Sequence, residues 1–158
     1  MTTIKPIGGV RSVGLFRPCG IKATWLDGHT ARISADKRWP ATEVPLMEDK
    51  SLYGEQLRQE KGLCSVVHEL RMTADAAESA PWLDAEFLRR TASEGAVARI
   101  EMMSGEVLWA GISPRFGTEQ PLRLAGIETS SELSPRQRPQ TVLTLHGEDC
   151  DFAYRQKD

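Results

Sequence analysis

Cysteine and histidine are the residues that most readily suggest chemistry here, and they form two mirrored pairs. The segment CSVVH places Cys64 four residues before His68, and HGEDC places His146 four residues before Cys150. Thiolate and imidazole both bind zinc, so the two pairs could supply four ligands. On a strand, however, residues four apart are separated by about 13 Å, whereas zinc ligands lie within about 2.3 Å of the ion. CSVVH can therefore chelate only if it is not a strand, while Gly147 would allow HGEDC to bend. We expect no metal site.

Other arrangements of reactive residues are no stronger. A cysteine–histidine nucleophile would need a geometry for which the surrounding sequence offers no signature. The acidic residues Glu148, Asp149 and Asp151 lack the length and alternation of a calcium loop. The chain contains no GxSxG, GxxxxGK[ST], GxGxxG or HExxH motif. We therefore expect no catalytic, cofactor-binding or metal-binding residues, and no enzymatic activity.

The composition is that of an ordinary soluble globular protein. A chain of 158 residues is most economically one domain spanning 1–158. A net charge of −2 argues against direct binding of nucleic acid, which usually needs a basic surface. No apolar run approaches the length of a membrane span, and the first ten residues lack the apolar core of a secretory signal. These features predict a cytoplasmic protein with reduced thiols that does not bind a membrane.

The first 50 residues predict short, irregular strands and loops. The apolar segments 11–16, 21–26 and 31–34 have the character of strands, and an Asp-Gly pair between the last two is a hairpin signature. Pro40 and Pro45 lie five residues apart. Because proline cannot donate to a β-ladder, the stretch around them should be a loop or an edge strand.

Residues 51–73 fit two structures. Their second half alternates with period two, which predicts a long β-hairpin reversing at Glu60–Gly62. A helical stripe fits the same stretch, with Leu63, Val66 and Leu70 on one face. We favour the hairpin.

The remaining sequence predicts one principal helix followed by more strands. Pro81 suits a first helical turn and Gly95 suits a helix end. In chain order the predicted elements are a helix over 81–93, a hairpin of 96–103 with 107–113, a strand over 121–128, a polar loop over 129–140 and a strand over 141–147. The fold class is therefore mainly β (α+β): an antiparallel β-sandwich or a partly closed barrel, with one principal helix packed on it.

This order of elements resembles small tail-associated structural proteins of phages and prophages, such as tail-tube and connector proteins. The resemblance covers about 100 residues: the segment YGEQLRQEKGLCSVVHELRMTAD, a helix carrying FLRR, the hairpin GAVARIEMMSGEVLWAGIS, and PLRLAGIETSSELSPRQRPQTVLTLHGED. It is a pattern of elements without a signature motif, so it transfers no catalytic or ligand-binding residue. It implies packed antiparallel sheets with a helix at the side. It also implies a virion structural or assembly protein, found in the bacterial cytoplasm before assembly and in a virion or tail-like particle afterwards.

A building block of this kind would bind itself or other phage structural proteins, and it needs surface anchors. The candidates for such a protein–protein interaction surface are Trp39, Tyr53, Phe116, Arg136 and Arg138, the two arginines lying in a polar arm that would order on assembly. The alternative function is a small β-barrel or sandwich that binds a small ligand in its interior. For a ligand binder, His68 is the obvious polar residue on an apolar face, although a lone histidine there is more often a hydrogen-bonded core residue.

Overall fold

The computed structural model describes residues 9–47, 50–75, 85–130 and 140–156, and over these residues the protein is mainly β, with two sheets and one helix. The strands of the first sheet are β1 (Val10–Phe16), β2 (Ile21–Asp27), β3 (Thr30–Ala35), β4 (Thr42–Glu43), β7 (Val97–Met102), β8 (Val107–Ala110) and β11 (Tyr154–Gln156). Those of the second are β5 (Leu52–Glu60), β6 (Leu63–Asp75), β9 (Arg123–Ser130) and β10 (Gln140–Asp149). The helix α1 spans Ala85–Ser93. The predicted fold class is confirmed.

The spatial order of strands is β2-β3-β11-β8-β7-β1-β4 in the seven-stranded sheet and β5-β6-β10-β9 in the four-stranded sheet. Within the described ranges all strand pairings are antiparallel except that of β11 with β3, which is parallel. This parallel pair was not predicted, because β11 lies at the far end of the chain from β3.

The segment 51–73 is a hairpin, as favoured from its alternation. Lys61 (φ 51°) and Gly62 (φ 80°) form the two-residue connection, and left-handed backbone at both positions is the mark of a type I′ turn. From this turn the pairing runs from Glu60–Leu63 to Leu52–Arg71 without a shift of register. The helical alternative for these residues is thus wrong.

Three other local predictions hold. The hairpin signature at Asp27 joins β2 to β3, and the segment after the helix forms the β7–β8 hairpin. The stretch between Pro40 and Pro45 contributes only the two-residue β4, at one edge of the larger sheet. Short edge strands beside prolines are expected, since proline offers no N–H to a neighbour.

The main core lies between the two sheets. Ile100 of β7 is buried on the inner face of the larger sheet, and Leu70 of β6 and Leu145 of β10 are buried on that of the smaller one. The helix α1 adds Phe87 to this core. The alternation of the strands thus places their apolar faces together, as expected for a sandwich.

A second, smaller core lies on the other face of the larger sheet. It contains Val97 and Trp109, with the half-buried Phe16, Leu26 and Ile33 beside them. The larger sheet curls into a half-barrel, which brings the β2–β3 hairpin over this face. Apolar residues on both faces of β7 and β8 are explained by this curl.

The bounds predicted for the helix and for the polar loop can be compared with the structure at three of their ends. Helix α1 ends before Gly95, as predicted, and a side chain at this glycine (φ 83°) would meet Pro121 at 2.6 Å. The predicted helix start at Pro81 lies outside the described residues. The polar loop was predicted to begin at 129, but β9 continues to Ser130, which pairs with Gln140. In the described part of the chain, no helix has the length and apolar character needed to cross a membrane.

Candidate functional site

The fold separates the two mirrored cysteine–histidine pairs. Both members of CSVVH lie on strand β6, where Cys64 is exposed and His68 is buried. His146 lies on β10 and is exposed on the opposite face of the same sheet, with Cys150 just beyond the strand end. Among the described residues, no three metal-ligating side chains come together. CSVVH is therefore a strand, and on a strand Cys64 and His68 lie too far apart to bind one zinc ion. That the protein binds no zinc stays a prediction.

The expectation that HGEDC could bend at Gly147 is wrong. Strand β10 continues through Gly147 to Asp149. A Cβ at Gly147 would lie 2.8 Å from Leu122 Cδ2 and 3.3 Å from the Pro121 carbonyl oxygen. The glycine is needed there because the chain before β9 passes closely over β10.

His68 is the centre of a buried polar cluster at the base of the β5–β6 hairpin. Its Nδ1 lies 2.6 Å from the Tyr53 hydroxyl oxygen, and its Nε2 lies 2.9 Å from the backbone carbonyl oxygen of Asp151. His68 and Tyr53 are only 2% and 3% exposed. Both ring nitrogens of His68 are thus occupied by partners within the chain, as is usual for buried polar groups.

The hydrogen-bond partners of His68 determine which ring nitrogen carries the proton when the ring is neutral. A carbonyl oxygen only accepts, so Nε2 of His68 carries a proton and donates it to Asp151. In the neutral ring Nδ1 then accepts from the Tyr53 hydroxyl. Burial lowers the pKa of His68, with the nearby Glu55 carboxylate partly opposing this effect, and burial raises the pKa of Tyr53 well above its usual value. Both directions favour the neutral ring and the neutral phenol, and in these forms the Tyr53 hydroxyl donates to Nδ1.

The cluster holds in place the segment between β10 and β11, where the chain crosses from the second sheet to the first (the crossover). Glu55 lies directly across from His68 in the hairpin, with its Oε2 3.8 Å from His68 Nδ1. The same oxygen accepts a hydrogen bond of 2.7 Å from the backbone N–H of Ala153. Tyr154, the first residue of β11, donates its hydroxyl to the Asp151 carboxylate at 2.7 Å. The segment joining β10 to β11 is thus held on the hairpin by main-chain and side-chain bonds, which is a structural role.

The thiol of Cys150 does not have the environment of a nucleophile. Its pKa is raised, first by burial and then by a hydrogen bond with Asp149. A catalytic cysteine needs the opposite shift, because the thiolate is the reactive form. His68, the histidine of the polar cluster, has both ring nitrogens bonded within the chain and so has none free to act as a base.

Sequence reasoning identified His68 but missed its partners. The signal for Glu55 was available, since a two-residue turn at Lys61–Gly62 pairs residues whose numbers sum to 123, and so places Glu55 opposite His68. Asp151 has no comparable signal, because its approach depends on the crossover between sheets.

The candidate anchors for a partner have different outcomes. Trp39 is 41% exposed with the Arg17 guanidinium 4.4 Å above its ring, and Phe116 is half-buried. Tyr53 is wrong as an exposed anchor, because it is buried against His68. The other two candidates, Arg136 and Arg138, lie outside the described residues.

The longest unbroken run of exposed residues in the described part of the chain lies in the outer half of the β5–β6 hairpin. Residues 56–64 of this hairpin are all exposed, and Leu57 and Leu63 expose 45% and 76% of their surface. Strand β5 is also a terminal strand of its sheet. It therefore offers unpaired backbone groups next to exposed apolar side chains, a combination that favours strand addition.

Comparison of the chain with protein-family models, with curated proteins and with solved structures finds no match.

Proposed function

We propose that this protein is a non-enzymatic structural or assembly protein of phage or prophage origin, belonging to a tail or head–tail connector. It acts by associating with itself or by docking on other virion proteins. In this proposal it is made in the bacterial cytoplasm and then enters a virion or tail-like particle. The order of its elements supports the proposal through the resemblance to tail-associated proteins.

The observation that carries the proposal is the open edge of β5. This strand is nine residues long and regular, and its outer half exposes Leu57 beside polar residues. A monomeric protein usually shields such an edge, because its free N–H and C=O groups are templates for pairing. A subunit that assembles has a use for it.

The interior gives little support to the alternative, a small-ligand binder. The polar group expected to contact a ligand, His68, has both ring nitrogens bonded within the chain. A shallow depression between helix α1 and β1, lined by Leu15, Phe87 and Thr91, has space for about one water molecule.

The test is sedimentation of the purified chain over a range of concentrations, followed by mixing with the proteins of neighbouring genes. Rings, tubes or a stable complex with a tail or connector protein would support the proposal. A chain that stays monomeric, binds none of these neighbours and gains several degrees of melting temperature from one small molecule would replace it with the ligand-binding alternative.

A further inference from the structure

The backbone groups that β5 leaves free can be identified from its turn. In a two-residue type I′ hairpin the residues flanking the turn, here Glu60 and Leu63, bond to each other through both backbone groups. Even-numbered residues of β5 therefore bond to β6, and odd-numbered residues direct their N–H and C=O outwards. Thr73 of β6 lies two residues beyond Arg71, the last residue of β6 that pairs with β5, and it fits the same alternation. Its N–H donates to the Ser51 hydroxyl and its C=O accepts from the Met47 N–H, and both partners lie on the β5 side. Leu57 thus directs both backbone groups away from β6, and among the described residues no other strand pairs with β5.

The other three sheet edges carry protective features that β5 lacks. Strand β4 has only two residues, and β2 carries a bulge at Lys22. Strand β9 carries a bulge at Ala125 and packs against helix α1, with Arg123 Nε 3.4 Å from the Ser93 carbonyl oxygen. Short strands, bulges and covering helices are the usual means of preventing edge pairing. In the described part of the chain, β5 is the long edge without any of them.

We propose that the partner of the β5 edge is the β5 edge of a second copy, paired antiparallel about a two-fold axis at Leu57. This inference rests on the proposed function and specifies its self-association step. The axis pairs residues whose numbers sum to 114. The outward backbone groups of Leu57 then bond to their own copies, and those of Glu55 bond to Gln59 of the other chain. The two four-stranded sheets become one sheet of eight strands.

The side chains of β5 are self-complementary in this register. The two Leu57 side chains, each 45% exposed, meet on the core-facing side of the joined sheet. On the outer side Gln56 lies opposite Arg58 twice, as a non-hydrogen-bonded pair, in which cross-strand side chains are closest. The amide oxygen of Gln56 can accept from the guanidinium of Arg58. Both residues are exposed in the single chain and so are available for this contact.

The first test compares two edge substitutions of equal chemistry in sedimentation equilibrium on the purified full chain. Leu57→Lys places two like charges on the proposed axis. We expect it to raise the dimer dissociation constant by about tenfold or more. Ile127→Lys is the matched control, because Ile127 is 39% exposed on β9, at the other edge of the same sheet. It should leave the constant unchanged. Loss of the dimer in Ile127→Lys, in both variants or in neither would overturn the proposal, as would a chain that is monomeric at its highest soluble concentration.

The second test examines the register. Gln56→Glu places a carboxylate opposite each Arg58 of the other chain, and two such cross-strand pairs should tighten the dimer by about three- to tenfold. Adding Arg58→Glu to that variant leaves carboxylates facing each other and should weaken the dimer below the original. If Gln56→Glu does not tighten the dimer, the register is wrong. These measurements use the chain alone. A dimer that forms no rings or tubes and no complex with tail or connector proteins would contradict the proposed function and leave this inference standing.

Discussion

The two halves of the β5–β6 hairpin distribute their residues in opposite ways. At its base, polar side chains are buried: His68, Tyr53 and Glu55 lie inside the molecule and bond to one another and to the crossover. At its outer half, the apolar Leu57 and Leu63 are exposed. Burying polar groups is costly unless each is bonded, and exposing leucine forgoes the stabilisation of burial. At the base, hydrogen bonds within the chain offset the cost of burial, whereas the outer half leaves its leucines exposed.

The largest loss of stability should come from removing the His68 ring at the base of the hairpin. His68→Ala removes a fully buried ring and leaves the Tyr53 hydroxyl and the Asp151 carbonyl without their partner. We expect a loss of about 3 kcal/mol in the free energy of unfolding, measured by chemical denaturation. The control is His146→Ala on the exposed face of the same sheet, which should change stability by less than about 0.5 kcal/mol. Equal effects of the two substitutions would mean that the cluster does not stabilise the fold.

A smaller effect should follow from removing a single oxygen. Tyr53→Phe keeps the ring in the core and leaves Nδ1 of His68 without its 2.6 Å partner. The expected loss is about 1–2 kcal/mol, since a buried acceptor then stays unsatisfied. Comparison with the double variant Tyr53→Phe/His68→Ala gives the coupling energy. Strict additivity of the two single changes would contradict a direct hydrogen bond.

Much of the fold was predictable because its signals are local. Two-residue turns with glycine, such as the one at Gly62, set a hairpin and its register within a few residues. Alternation then determines which face of each strand is buried, as in β6 and β10. The parallel pairing of β11 with β3 and the curl of the larger sheet were not predictable in this way, because they depend on residues more than a hundred positions apart.

The polar cluster shows where that limit lies. His68 could be identified from its apolar neighbours, and counting from the turn would have found Glu55. The distance of 2.6 Å from Tyr53 to His68 joins side chains that are not directly opposite in the register, and the carbonyl of Asp151 arrives from another sheet connection. Neither contact has a sequence signal. Treating Tyr53 as a surface anchor was the resulting error.

The buried base of the hairpin should also make the stability of the chain depend on pH. Because the pKa of His68 in the folded chain lies below its usual 6.5, the unfolded chain binds this proton more readily. The stabilising contribution is complete above about pH 6.5 and is lost as the pH falls through the folded-state pKa, with a slope of at most about 1.4 kcal/mol per pH unit.

The measurement is the free energy of unfolding between pH 8 and pH 5, in the original chain and in His68→Gln. The difference between the two curves isolates this group from His29 and His146, and it should shrink towards acid pH. A difference that stays constant across the range would show that His68 has the same pKa in both states. The pKa of Tyr53 is raised, so its contribution is instead lost at alkaline pH, above about 10.

The smallest effect is expected at the tip of the hairpin, and it decides whether the comparison holds. Leu63 is 76% exposed and lies beside the turn, so Leu63→Ser removes little buried surface from the single chain. Its free energy of unfolding in dilute solution should change by less than about 0.5 kcal/mol, against the loss of about 3 kcal/mol expected for His68→Ala at the base. Dilution matters here, because any association through the hairpin would add stability that depends on concentration. A loss of more than about 1 kcal/mol in dilute solution would mean that the tip packs against the same chain. Leu63 would then pack within the single chain, and the contrast between the base and the tip of the hairpin would be lost.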